Sequence, residues 1–218
     1  MLRWRLILGV IFIAALIGLF WLDHRAAWPG MLLFPLALLL AWLASGEFLG
    51  LLAARGLSPR PAIVRLGSLA IVAVNLVPVF WPDSPLGTLS WPLAAFSLAL
   101  LVAFLGEMQR YQRPGEVMER LGLTVLGLAY VGLLLAMITQ MRLLGPEGGK
   151  AGAWGVAALA SLVITVKMSD IGAYTVGRLI GRHKMSPVLS PGNTWEGFFG
   201  GVAFSTLGAW LSLNLLAA

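Results

Sequence analysis

The chain has 218 residues, of which 59% are hydrophobic and 11% charged, and its mean hydropathy is +0.90. A soluble domain carries roughly a quarter charged residues, so the composition excludes one and specifies an integral membrane protein. Zero cysteines exclude disulfides and thiolate metal sites, and the net charge of +6 lies in short loops, which is topology signal rather than a nucleic-acid surface.

In chain order, apolar runs predict spanning helices near 5–22, 30–53, 63–81, 91–108, 120–141, 152–177 and 195–217. Each is about 17–25 residues, the length a bilayer requires. The predicted fold is therefore all-α, a polytopic membrane bundle of about seven helices. About four fall in residues 1–118, and the rest fall in 119–218 around a polar loop at 178–196. The first run follows the basic start MLRWR and precedes DHR without a small-residue cleavage pattern, which predicts a retained anchor.

Orientation follows from lysine and arginine. With the N-terminus inside, inner segments hold eleven of the fifteen and outer loops hold three, Arg25, Arg142 and Lys150. Lys167 lies within a helix. This bias places the loop after Arg178 in the cytoplasm and the protein in the inner (cytoplasmic) membrane, crossing it several times.

Glu47 and Glu107 lie within or at the ends of apolar runs, where helix–helix hydrogen bonding or an interfacial position explains them. Asp170 is more pointed. An acid within a span costs about 2.5–3.5 kcal/mol on insertion scales, so it is paired or functional. Lys167 one turn before it and Tyr174 one turn after are candidate partners.

Two ridges of small residues at four-residue spacing flank the polar loop: Ser169, Ala173, Gly177 and Gly181, then Gly197, Gly201, Ser205 and Ala209. Such ridges let helix backbones approach closely in lipid and predict a tight hairpin. Within the loop, SPGNTWEG predicts a Pro191–Gly192 turn. Asn193 is expected to cap a helix beginning at Thr194, with Glu196 completing a capping box. The open N–H groups of that helix start would suit a phosphate, beside the hydroxyls of Ser190 and Thr194. Arg182 and Lys184 would supply charge. An ordinary capped turn remains the alternative.

DIGAY at Asp170–Tyr174, GRLIGRHKMSP at Gly177–Pro187 and SPGNTWEGFFGG at Ser190–Gly201 together resemble the phosphatidate cytidylyltransferase (CDP-diglyceride synthase) family. The resemblance implies a helical membrane enzyme that joins CTP and phosphatidic acid into CDP-diacylglycerol and pyrophosphate, assisted by Mg2+. On that basis Asp170 and Lys184 are expected to be catalytic, with Asp170 also a metal ligand. Arg182, Ser190, Pro191, Asn193, Thr194, Trp195 and Glu196 are expected to bind substrate among membrane lipids, and a homodimer is compatible with this.

Asn193 stands where the family pattern has lysine, and Lys167 where it has an aromatic residue. The family's C-terminal motif, which would carry the main metal ligands, does not occur before Ala218. The chain is accordingly expected to be a fragment or a truncated product. The alternatives are an inactive scaffold of the same family, a cytidylyltransferase for another lipid phosphate, and a secondary transporter. The transporter predicts internal repeats, which the sequence lacks.

Overall fold

The computed structural model describes residues 11, 15–111, 116–143, 151–188 and 190–216. Its helices are α1 (Ala15–His24), α2 (Leu33–Ala53), α3 (Pro61–Ala73), α4 (Val77–Phe80), α5 (Ser90–Arg110), α6 (Glu116–Gly127), α7 (Leu134–Met141), α8 (Ala151–Ile180) and α9 (Trp195–Leu216). A 3-10 turn at Val74–Leu76 joins α3 to α4, and a π segment at Leu128–Leu133 joins α6 to α7. Five helical stretches are long and apolar enough to cross a membrane: Leu33–Ala53, Pro61–Phe80, Ser90–Gln109, Glu116–Met141 and Trp154–Ile180. The fold is an all-α membrane bundle, and half of the span expected at 5–22 lies outside the described residues. Large apolar side chains such as Leu51, Leu66, Leu98 and Phe104 are more than half exposed, as a lipid-facing surface requires.

The chain separates into two compact units, one through Leu143 and one from Leu144. In the first, small side chains let the helices close. Ala37 and Ala41 of α2, Ile71 and Val72 of α3, Ala99 of α5, Leu128 and Ala136 form the buried core. A Cβ on Gly132 would lie 2.9 Å from the Ser68 Cα, and one on Gly127 would lie 2.9 Å from Phe48 and Val64. The last long stretch of this unit therefore packs backbone-close against α3.

The ends of these helices are set by local chemistry. Gly56, at φ +74°, follows α2; its N–H bonds the Ala53 carbonyl at 3.0 Å and the Leu57 N–H bonds Leu52 at 3.0 Å. That pair of bonds is the Schellman stop, which favours glycine at this position. Pro61 then opens α3 where its missing N–H costs nothing.

Two buried carboxylates, each held by arginine, close the unit. Asp23 and Arg142 meet at 2.6 Å with side chains 0% and 2% exposed. The Asp23 carboxylate also accepts the backbone N–H groups of Gly30, Leu32 and Leu33 at 3.1, 2.8 and 3.2 Å. It thereby caps α2, whose own N-cap residue has no capping side chain. Four candidate spans separate Asp23 from Arg142, so their contact agrees with both lying on the same side of the membrane.

Glu107 is buried between Arg120 at 3.1 Å and Arg60 at 3.5 Å. Glu107 thus serves helix–helix bonding, as expected. Glu47 is exposed.

The second unit is a hairpin of α8 and α9 joined by two short strands, β1 (Lys184–Ser186) and β2 (Ser190–Thr194). They pair antiparallel with Lys184 opposite Thr194 and Ser186 opposite Ser190. This small sheet replaces the irregular loop expected between the helices.

Candidate functional site

The glycine ridges decide how the second unit closes. A Cβ on Gly197 would lie 2.9 Å from the Ala173 carbonyl oxygen and 3.2 Å from the Gly177 Cα. One on Gly201 would lie 3.2 Å from the Ser169 carbonyl oxygen. The expected ridge therefore forms the seam. A second set of contacts, not foreseen, runs beside it: Gly172 against Phe204 and the Gly200 carbonyl, and Gly200 against Val176. With both sets in place the helices touch backbone to backbone, and the polar end of the hairpin is held open by its strands.

The start of α9 differs from the expectation at one residue. The helix begins at Trp195, so Thr194 rather than Asn193 is the cap, and its Oγ1 accepts the Gly197 N–H at 3.1 Å. Strand pairing with Lys184 keeps the chain extended through Thr194, which moves the helix start on by one position. Glu196 then falls one place short of a capping box. Its carboxylate instead accepts the His183 N–H at 3.2 Å and lies 2.6 Å from the His183 Nδ1. The Trp195 N–H bonds the His183 carbonyl at 3.0 Å. Two of the N–H groups expected to receive a phosphate are thus already bonded within the chain.

An open cavity of about 670 Å3 remains at this end, lined by both helices and by the hairpin. Such a volume is typical of small-molecule sites. Asp170, Tyr174 and Arg178 line it from α8, and Gly192, Asn193 and Thr194 line it from β2. Met185 and Phe198 add apolar wall. Four-residue spacing puts the three α8 side chains on one helix face, with the acid and the guanidinium about 12 Å apart along the axis at 1.5 Å per residue.

The charges along that face have separate partners. Asp170 Oδ2 lies 3.3 Å from Lys167 Nζ, both side chains being about two-thirds exposed. Of the two partners anticipated for Asp170, Lys167 is the one observed. Tyr174 instead accepts a hydrogen bond from Arg178, whose guanidinium carbon lies 5.8 Å from the tyrosine ring centroid. The cavity therefore has a negative end and a positive end, joined by a phenol.

Of the anticipated site residues, the structure brings together Asp170, Asn193 and Thr194. Arg182, Lys184, Ser190, Pro191, Trp195 and Glu196 do not line the cavity. Arg182 and Lys184 lie exposed on the hairpin, while the Trp195 ring meets Phe198 edge-to-face at 6.0 Å and Phe199 at a tilt at 6.5 Å. Tyr174 and Arg178 were missed as site residues, although counting in fours from Asp170 finds both.

Among the described residues, no group of three or more His, Cys, Asp or Glu side chains is placed to hold a metal ion. Asp170 is the one carboxylate among the described residues that line the cavity. A single carboxylate fits a Mg2+ whose other ligands are substrate phosphates and water, and does not fit an ion held by the protein alone.

A family model described as the cytidylyltransferase family matches residues 3–218. The chain is 41% identical over 63 residues to a phosphatidate cytidylyltransferase from Mycobacterium leprae, covering 29% of this chain and 20% of that one. It is 29% identical over 178 residues to one from Staphylococcus saprophyticus, covering 82% of this chain and 61% of the relative. It is 50% identical over 44 residues to one from Staphylococcus haemolyticus, covering 20% and 17%. In each case the matched part is less than two-thirds of the relative's length. No solved structure matches the chain significantly.

Proposed function

The chain belongs to the cytidylyltransferase family, and from that premise we propose that it acts in transferring the cytidylyl group of CTP to phosphatidic acid. A phosphate oxygen of the lipid attacks the α-phosphorus of CTP. The bond from that phosphorus to the β-phosphate oxygen breaks, giving CDP-diacylglycerol and pyrophosphate. Such chemistry asks the protein for alignment and charge neutralisation more than for a covalent partner.

The observation that carries this reading is the cavity itself, with Asp170 and Arg178 on one face of α8 and Asn193 and Thr194 facing them from the hairpin. In this proposal Arg178 binds the triphosphate, and Tyr174 holds the guanidinium in place. Asn193 and the Thr194 region contact nucleotide, while Lys184 and Arg182 draw anions toward the opening from the exposed hairpin. A Mg2+ arriving with the nucleotide would offset charge on the departing pyrophosphate, with Asp170 as its protein ligand. Trp195, Phe198 and Phe199 form an aromatic cluster suited to the membrane interface.

Asp170→Asn tests the metal role. It is expected to raise the Kd for CTP about tenfold when Mg2+ is present and to leave the Kd unchanged in EDTA; an equal Kd with Mg2+ would remove Asp170 from the site.

The proposal also needs the hairpin on the cytoplasmic side of the inner membrane, where CTP is available. The chain has no cysteine, so Ser186→Cys introduces a single thiol on β1. An impermeant maleimide is expected to label it in inverted vesicles and not in intact cells. Labelling from outside intact cells would overturn both the orientation and nucleotide access.

A further inference from the structure

Helix α8 carries three charged side chains in 30 residues, Lys167, Asp170 and Arg178, and α9 carries one, Glu196. Two of these four are engaged at the hairpin end, Glu196 with His183 and Arg178 with Tyr174. Lys167 and Asp170 therefore have only each other among the described residues of this unit. They meet at 3.3 Å with side chains 69% and 66% exposed.

Their depth follows from helix length. The apolar stretch Trp154–Ile180 has 27 residues, about 40 Å at 1.5 Å per residue, which exceeds a hydrocarbon core by about 10 Å. Every residue of that stretch before Lys167 is uncharged, so the excess lies on the hairpin side. Lys167 and Asp170 thus sit near the boundary where hydrocarbon gives way to head groups, with Lys167 the deeper by one turn. A lysine there keeps its stem in hydrocarbon while its ammonium reaches phosphate level.

An exposed ion pair of this kind is weak and exchanges partners readily. The proposed nucleotide site gives Asp170 a second partner, the Mg2+ that comes with CTP. Once the carboxylate turns to that ion, the ammonium is left at the edge of the hydrocarbon without a counter-charge, which is costly. In the reaction proposed above, the other substrate is a lipid phosphate monoester that approaches within the bilayer at this same depth.

We propose that Lys167 binds the phosphate of the lipid substrate, and that Asp170 withholds it until nucleotide and metal have bound. This assignment rests on the nucleotide reading of the cavity and adds an anchor for the lipid. Three residues of helix separate the two side chains, about 4.5 Å along the axis. A phosphate held by Lys167 therefore lies beside a triphosphate whose metal is held by Asp170. Binding is ordered, nucleotide before lipid, because the same carboxylate serves both cations in turn. A doubly charged monoester is preferred to a singly charged diester, since an ammonium acts as a point charge.

The test counts lipid molecules bound to the purified full chain in detergent by native mass spectrometry. CTP with Mg2+ is expected to tighten phosphatidic acid binding about tenfold, with a smaller effect on phosphatidylglycerol. Lys167→Met should abolish the tightening, and Lys167→Arg should keep it. Asp170→Asn should bind phosphatidic acid about tenfold more tightly than the parent with no nucleotide present, because the ammonium is no longer held. Adding Lys167→Met to Asp170→Asn should reverse that gain. Both side chains are exposed, so the substitutions leave the packing of α8 on α9 intact. The Asp170→Asn comparison contains no nucleotide and tests Lys167 independently of CTP. Equal phosphatidic acid affinity in Asp170→Asn and the double variant would overturn the proposal. So would a tightening by CTP that survives in Lys167→Met, or one that is equal for phosphatidylglycerol. Failure of the parent to bind CTP, with the Asp170→Asn gain present and reversed by Lys167→Met, would count against the nucleotide site alone.

Discussion

Arg142→Ala is expected to lower the melting temperature in detergent by on the order of 10 °C. The Asp23–Arg142 pair is the most deeply buried charge in the described residues, with both side chains almost wholly excluded from solvent. Deleting one partner of such a pair costs about 3–5 kcal/mol, because the other is left charged and unneutralised. Here the abandoned partner also caps a helix. Asp23 holds the N–H groups of Gly30, Leu32 and Leu33, and the arginine also donates to the Asp23 carbonyl at 3.2 Å.

The double variant Asp23→Asn with Arg142→Met should recover about half of the loss. An amide oxygen can still accept two of those N–H bonds, and a thioether fills the vacated volume without needing a counter-charge. Thermal unfolding of the three proteins measures both effects. A single variant as stable as the parent would show that the pair does not tie α1 and α2 to the end of α7.

That pair also marks what the sequence concealed. Asp23 and Arg142 lie 119 positions apart, and each alone reads as a loop charge. Only the four intervening candidate spans bring them together. The membrane class and the α8–α9 seam were legible, because apolar length and four-residue spacing are local patterns. Ser169, Ala173 and Gly177 meet Gly197 and Gly201 as that spacing requires.

The hairpin strands were not legible. Strands of three and five residues, the first ending just before Pro187 and the second containing Pro191, offer too little alternation to reveal a period. The cap fell to Thr194 instead of Asn193 for a related reason: both residue types cap helices well, and only the pairing to Lys184 chooses between them. Arg182 and Lys184 seemed the natural phosphate ligands from their position in the loop, yet they line no part of the cavity. Arg178 does, from within the helix.

Arg178→Ala is therefore expected to weaken CTP binding about 100-fold. A hydrogen-bonded charge contact to phosphate contributes about 1.5–3 kcal/mol, and a factor of 100 corresponds to about 2.7 kcal/mol. Among the described residues no other guanidinium or ammonium group lines the cavity. Arg178→Lys should recover part of the affinity, because a point charge remains while the forked donor geometry is lost. Tyr174→Phe should cost less than Arg178→Ala, since it frees the guanidinium without removing it.

Titration calorimetry of CTP with Mg2+ into the purified protein and into Arg178→Ala tests the central claim most directly, that the open end of the α8–α9 hairpin is a polyphosphate pocket. The predicted result is saturable binding at one site in the parent, weakened about 100-fold in the variant. No binding to a folded parent, or the same affinity in both proteins, would contradict it.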